Sequence, residues 1–176
     1  MKKIMFNDTY GLTESVRRRY KKKTRRIAPA NKKAHFKVGE IVAVAQSYKD
    51  AGVLFIPEED EEFGCHNFPA YQTSGWTNKM FVRADLMPLK IRITSVDFER
   101  LQDISDEDCF EEGIVRWTKD GELFKYDLAD GFEMFQWRDM PRTPREAYAA
   151  LIDKISGKGT WERNPYVFVY GFEIVK

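Results

Sequence analysis

Polar and apolar residues alternate along Lys90-Ile-Arg-Ile-Thr-Ser-Val, and a period of two predicts a strand with one buried face. The closing run Tyr166-Val-Phe-Val-Tyr-Gly-Phe-Glu-Ile-Val is denser in β-formers and predicts a central strand of the sheet. Near the start, residues 2–6 predict a short strand, and Leu12, Val16 and Tyr20 at i, i+4 spacing predict one apolar stripe of a helix. Phe36-Lys-Val-Gly-Glu-Ile-Val-Ala-Val reads as a loop entering a half-buried strand. Ser105-Asp-Glu-Asp108 is a capping pattern that opens a short helix, and Gly113 is placed to stop it. Lys119-Asp120-Gly121 suits a hairpin turn between two short strands. Thr143-Pro144-Arg145-Glu146 caps a helix whose buried face is Tyr148, Leu151, Ile152 and Ile155, ended by Gly157 and Gly159. The sum is an α+β fold in which strands outnumber helices.

Residues 52–88 lack a sustained period and predict an insertion or long functional loop within a single domain spanning residues 1–176. Their acidic run, Glu58-Glu59-Asp60-Glu61-Glu62, reads as a solvated linker without calcium-loop spacing.

Composition adds the class. With 43% apolar and 14% aromatic residues the chain has material for a core, and its length suffices to bury roughly two-thirds of the unfolded surface without disulfides or metal. No segment approaches the ~20 apolar residues of a membrane span, and Met-Lys-Lys-Ile lacks a signal peptide's apolar run, so the expectation is a cytoplasmic protein with reduced Cys65 and Cys109. His35, His66 and the cysteines show no repeated metal-ligand spacing, and no nucleotide fingerprint occurs, so neither metal nor cofactor is expected.

Charge changes the picture most. Eight of the ten residues from Arg17 to Arg26 are cationic while the formal net charge is +1, so the rest of the chain sums to about −7. Such segregation can draw an anionic partner, nucleic acid above all, to one face. Cations in a last helical turn also offset the helix dipole, which accounts for three or four of them.

Within this decade, Lys21-x-x-Thr24-x-Arg26 resembles the Gly-x-Lys-x-x-Thr-x-Arg signature of ASCH-domain proteins. The Phe36-x-Val-Gly39-Glu-Ile-Val stretch, the helix ending Glu111-Glu112-Gly113 and the aromatic closing strand extend the resemblance to most of the chain outside residues 52–88. It implies a small PUA-like β-barrel with flanking helices and a cleft near Lys21, Thr24, Arg26 and Glu112. It also implies RNA or a modified nucleoside as partner, and in the sharpest version an amidohydrolase that deacylates 4-acetylcytidine with Thr24, Lys21 and Glu112. Glu111 is an equal alternative to Glu112. Arg19 stands where the family has glycine, so the turn is either built differently or strained.

The chemistry is sensible, because a threonine hydroxyl needs a base and a lysine serves when burial or adjacent cations lower its pKa. Arg19, Lys22, Lys23, Arg25 and Arg26 supply those cations. A helical or tight-turn backbone would bring Lys21 and Thr24, three apart, to one side. A carboxylate at a helix C-terminus is disfavoured locally, which marks Glu112 as retained for another reason. Without catalysis the same surface is a binding module, with Arg19, Tyr20, Lys22, Lys23, Arg25 and Arg26 on phosphates and bases and Tyr20, Trp76 or Trp117 stacking. A third reading is a protein-interaction domain whose basic face meets an acidic partner or the run at 58–62. Each residue also has an ordinary role: Lys21 as a surface cation, Thr24 as a turn residue, Glu112 as a solvated acid, the aromatics as core.

Overall fold

The alternation at residue 90 continues further than the apolar pattern. In the computed structural model, which describes residues 1–60 and 64–175, strand β6 runs Lys90–Arg100. The other strands are β1 (Lys3–Ile4), β2 (Lys23–Ile27), β3 (Ile41–Val44), β4 (Phe55–Asp60), β5 (Gly64–Pro69), β7 (Val115–Thr118), β8 (Phe124–Asp127) and β9 (Tyr166–Ile174). The helices are α1 (Leu12–Arg17), α2 (Tyr48–Ala51), α3 (Asp106–Glu111), α4 (Pro144–Ser156) and α5 (Thr160–Arg163).

Five strands form a mixed sheet in the order β1-β3-β6-β9-β2, and β4–β5 and β7–β8 are separate antiparallel hairpins. The sheet is not the closed barrel expected from the sequence. Its two ends are β1, two residues long, and β2, and the hairpins satisfy their backbone groups on themselves rather than bridging those ends. The closing strand β9 does lie inside the sheet, between β6 and β2.

Two compact units divide the chain. Met1–Phe6, Ile41–Arg92 and Val175 belong to the first, and Asn7–Glu40 with Ile93–Ile174 to the second. In the first, β1 pairs parallel with β3, which pairs antiparallel with the start of β6. Its core comprises Ala43, Ala45, Tyr48, Ile56, Ala70, Val82 and Met87, with Trp76 packed alongside. Residues 52–88 supply much of that core through the β4–β5 hairpin and four short 3-10 turns. Of the acidic run, Glu61 and Glu62 lie outside the described residues, and Glu58 sits on β4 opposite His66, whose Nε2 is 3.8 Å from its Oε2.

The second unit contains the basic decade. Antiparallel β2 and β9 place Thr24 opposite Tyr170 and Arg26 opposite Phe168. The predicted caps form: the Ser105 hydroxyl accepts from the Asp108 N–H, and the Thr143 hydroxyl accepts from the Glu146 N–H behind Pro144 at the first turn of α4. Ala147, Tyr148, Leu151 and Ile152 are the buried face of α4. The hairpin turn also forms, with Asp120 Oδ1 accepting from the Glu122 and Leu123 N–H groups. Leu12 and Val16 are buried on α1, but Tyr20 is 52% exposed because the helix ends at Arg17. No helix among the described residues is long and apolar enough to cross a membrane.

Candidate functional site

The turn that ends α1 determines where the signature residues go. The Arg19 N–H donates to Val16 O at 2.9 Å and the Tyr20 N–H to Ser15 O at 2.9 Å, the paired bonds of a Schellman turn. That turn needs a left-handed residue immediately after the C-cap, Arg18, and Arg19 has φ 65. The backbone expected of the signature glycine is therefore kept, with an arginine bearing its cost of about 1–2 kcal/mol. From there the chain enters β2, so Thr24 stands on an extended backbone and not on the helical or tight turn that would gather it with Lys21. Strand alternation instead places Thr24 and Arg26 on one side of β2 and Lys23 and Arg25 on the other.

The Lys23 and Arg25 side meets α3. Lys23 Nζ lies 2.6 Å from Asp108 Oδ1 and 3.0 Å from Glu111 Oε2. Arg25 donates to Glu99 Oε1 at 2.7 Å, to Asp108 Oδ2 and to Glu112 Oε1 at 3.2 Å. Lys21, just ahead of the strand, donates to Glu112 Oε2 at 2.6 Å and to the Glu112 carbonyl at 2.9 Å. Lys21 and Glu112 are both only 3% exposed, whereas Glu111 is at the surface beside Lys23. Geometry thus separates the two glutamates that spacing could not, and the disfavoured carboxylate at the end of α3 is held by two buried cations. Glu99, Asp108 and Tyr148 belong to this cluster and were not singled out from the sequence; Asp108, inside the capping pattern, was the one with a local signal.

Burial pushes the Lys21 ammonium below its ordinary pKa. The Glu112 carboxylate opposes the shift, and the charges of Arg26 and Arg25 add to it. Arg26 is exposed at the residue level, yet desolvation lowers its pKa too, against the pull of Glu112, Tyr148 and Tyr170. Arg25 is raised: its burial acts downward, and the charge of Glu112 with hydrogen bonds to Asp108 and Glu99 outweighs it. Asp108 is lowered because hydrogen bonds from Lys23 and Arg25 outweigh its burial. Cys109, buried on α3, has its thiol raised to about 12, chiefly by desolvation, and is chemically quiet.

The decade is therefore largely neutralised from within. Arg17 and Arg18 both pair with Glu14 at 2.8 Å, and Lys21, Lys23 and Arg25 pair with the acids above. Arg19 and Lys22 form no ion pair among the described residues, and both line a cleft of about 680 Å³ together with Tyr20, Phe110, Arg116 and Tyr126. Of the three aromatics expected to stack, Tyr20 lies on this cleft, Trp76 packs on the core of the first unit, and Trp117 donates its indole N–H to Leu128 O at 2.9 Å. His35 packs edge-on against Phe36.

No protein-family profile matches the chain, and no curated protein resembles it. Among solved structures, it is similar to the high-resolution crystal structure of an ASCH domain from Lactobacillus crispatus JV V101, with 12% identity and a TM-score of 0.39 over 93% of this chain and 69% of that one.

Proposed function

We propose that the second unit recognises RNA or a modified nucleoside at the cleft of Arg19, Tyr20 and Lys22, in the manner of ASCH-domain proteins. The observation that carries this reading is the left-handed Arg19. A non-glycine residue held in that conformation is strained, strain of this kind concentrates at ligand sites, and this one keeps a guanidinium beside an exposed tyrosine. The cations can take phosphate oxygens and Tyr20 a base. Titrating the protein with a short single-stranded RNA and with 4-acetylcytidine tests the reading; Arg19→Ala and Lys22→Ala each weaken binding severalfold. Failure of folded protein to bind either ligand removes it.

A second reading, hydrolysis of 4-acetylcytidine, is favoured by the lowered pKa of Lys21 against Glu112. In this reading the Thr24 hydroxyl attacks the acetyl carbonyl and passes its proton to the unprotonated form of Lys21, a step that needs the segment ahead of β2 to rearrange, because its present backbone does not gather the two side chains. The C–N bond then breaks as that proton moves to the departing N4, leaving cytidine and an acetyl ester on Thr24. Water hydrolyses the ester, restoring Thr24 and releasing acetate. Glu112 orients Lys21. Cytidine release by wild-type protein, lost by at least ~10²-fold in folded Thr24→Ala and Lys21→Met, is the expected outcome. Unchanged turnover in Thr24→Ala removes it as nucleophile, and absent turnover with retained binding leaves recognition alone.

A further inference from the structure

One side of the second unit's strands has a feature that the cleft does not use. Phe98 on β6 and Tyr166 on β9 are 43% and 41% exposed, and their rings stack at 4.9 Å with an interplanar angle of 7°. Tilted and edge-on contacts extend the aromatic row from Phe98 to Phe168 at 5.1 Å, from Phe168 to Tyr170 at 6.2 Å and from Tyr170 to Phe36 at 5.2 Å. At its exposed end the Arg100 guanidinium lies 3.9 Å from the centre of the Tyr166 ring, and the Lys32 ammonium lies 5.9 Å from it.

Such a ladder stabilises a sheet by itself, since cross-strand aromatic pairs contribute roughly 0.2–1 kcal/mol each. Three observations go further. Large aromatics occupy exposed strand positions where water favours polar side chains. Alternation places Thr94, Val96 and Arg100 with Phe98, whereas Asp97 and Glu99 fall on the other side, where Glu99 meets Arg25. The same rule groups Thr24 and Arg26 with Tyr166 and Phe168, and the segment Ala30–Lys37 alongside carries Lys32, Lys33 and Lys37 without an acid. Apart from Thr24, Thr94 and Val96, the residues named on this side are aromatic or cationic. Finally, Lys32 sits on a left-handed backbone with φ 51, and Arg100 donates to the carbonyl of Asn164, the left-handed residue that caps the end of α5. With Arg19, these are the non-glycine residues of positive φ among the described residues.

We infer that this aromatic side of β6 and β9 holds single-stranded RNA, with bases stacking at Phe98 and Tyr166 and phosphates meeting Lys32 and Arg100. The inference rests on the RNA reading above and deepens it: the ligand is a polymer whose strand extends over the sheet. Positive charge and exposed rings together select nucleic acid over a peptide whose acidic side chains alone would meet the cations and leave the rings uncovered, and over a second copy of the chain, whose equivalent surface carries the same charge.

Fluorescence anisotropy with a labelled oligouridylate of about ten nucleotides tests it, beside a parallel titration with 4-acetylcytidine. Tyr166→Ala and Phe98→Ala are expected to weaken oligouridylate binding at least fivefold. Phe98→Leu, which keeps apolar cover and folds if Phe98→Ala does not, is expected to do the same. Lys32→Gln is expected to flatten the salt dependence by about 0.7 in log–log slope. Oligouridylate affinity unchanged in folded Phe98→Leu and Tyr166→Ala overturns the inference. So does binding of 4-acetylcytidine without the oligomer, an outcome that leaves the cleft reading standing. Binding of neither ligand removes both. Preference for polyglutamate over oligouridylate, or self-association abolished by Tyr166→Ala, assigns the surface to a protein partner and likewise overturns the inference.

Discussion

If the cleft binds a ligand as proposed, Arg19 is the residue at which function and stability pull apart. Its φ of 65 costs about 1–2 kcal/mol that glycine would not bear. Arg19→Gly is therefore expected to raise unfolding stability by about 1 kcal/mol in a urea titration while weakening ligand binding at the cleft. An unaltered or lowered midpoint would mean that the arginine side chain compensates the strain through its packing. Lys21 offers a second test at this scale. Its pKa is lower in the folded protein than its ordinary 10.5, so between the lowered value and 10.5 the unfolded chain binds more protons and stability rises with pH. Below that window the burial penalty on the ammonium is present in full. Cys109 and Tyr148 are raised and act in the opposite sense at alkaline pH, so the quantity to measure is the difference between wild type and Lys21→Met. That difference should shift in favour of the wild type as pH increases, and a flat difference would contradict the assignment.

At the level of elements, the latch between β2 and α3 is the decisive contact. Removing one member of a buried pair leaves the other charge uncompensated, so Glu112→Gln is expected to cost about 3 kcal/mol, and Glu112→Gln with Lys21→Met less than the sum of the two single changes. A double-mutant cycle in urea measures the coupling, and strict additivity would show that the pair acts as two separate groups. Asp108, whose carboxyl is held below its ordinary 3.8, stabilises above that value and loses its contribution as pH falls through the lowered one. Asp108→Asn should accordingly flatten the acid limb of the stability profile. Much of this scaffold was legible locally. Ser105, Gly113, Thr143 and Pro144 act through neighbours three or four residues away, and each does what its position implies. The rest depended on distant partners. An open sheet differs from a barrel only in how its last strands meet, and the extended backbone at Thr24 is fixed by Tyr170 on β9. The ends of α1 escaped the pattern because Tyr20 continues the apolar spacing past a turn that the hydrogen bonds of Ser15 and Val16 close. At the candidate site, the motif named Lys21 and the resemblance offered Glu112 with Glu111 as its equal, but Glu99 and Tyr148 are brought there from remote sequence by β6 and α4.

For the molecule as a whole, the basic decade contributes less outward charge than its sequence suggests, because Glu14, Glu99, Asp108, Glu111 and Glu112 engage five of its eight cations. Eight phosphate contacts would give single-strand binding a log–log salt slope of about −6, whereas three or four give about −2 to −3. The shallower slope is expected for oligouridylate, and the steep one would mean that the internal pairs open when RNA binds. The same network has a consequence for how its motion can be followed. Cys109 lies fully buried on α3 with its thiol raised to about 12, so in the closed state the reactive thiolate is scarce and shielded from reagent. Alkylation must then wait for α3 to come away. In a Cys65→Ser protein the labelling rate of Cys109 becomes a clock for the latch, and any ligand that keeps the latch shut should slow it, reporting occupancy from a position the ligand never touches.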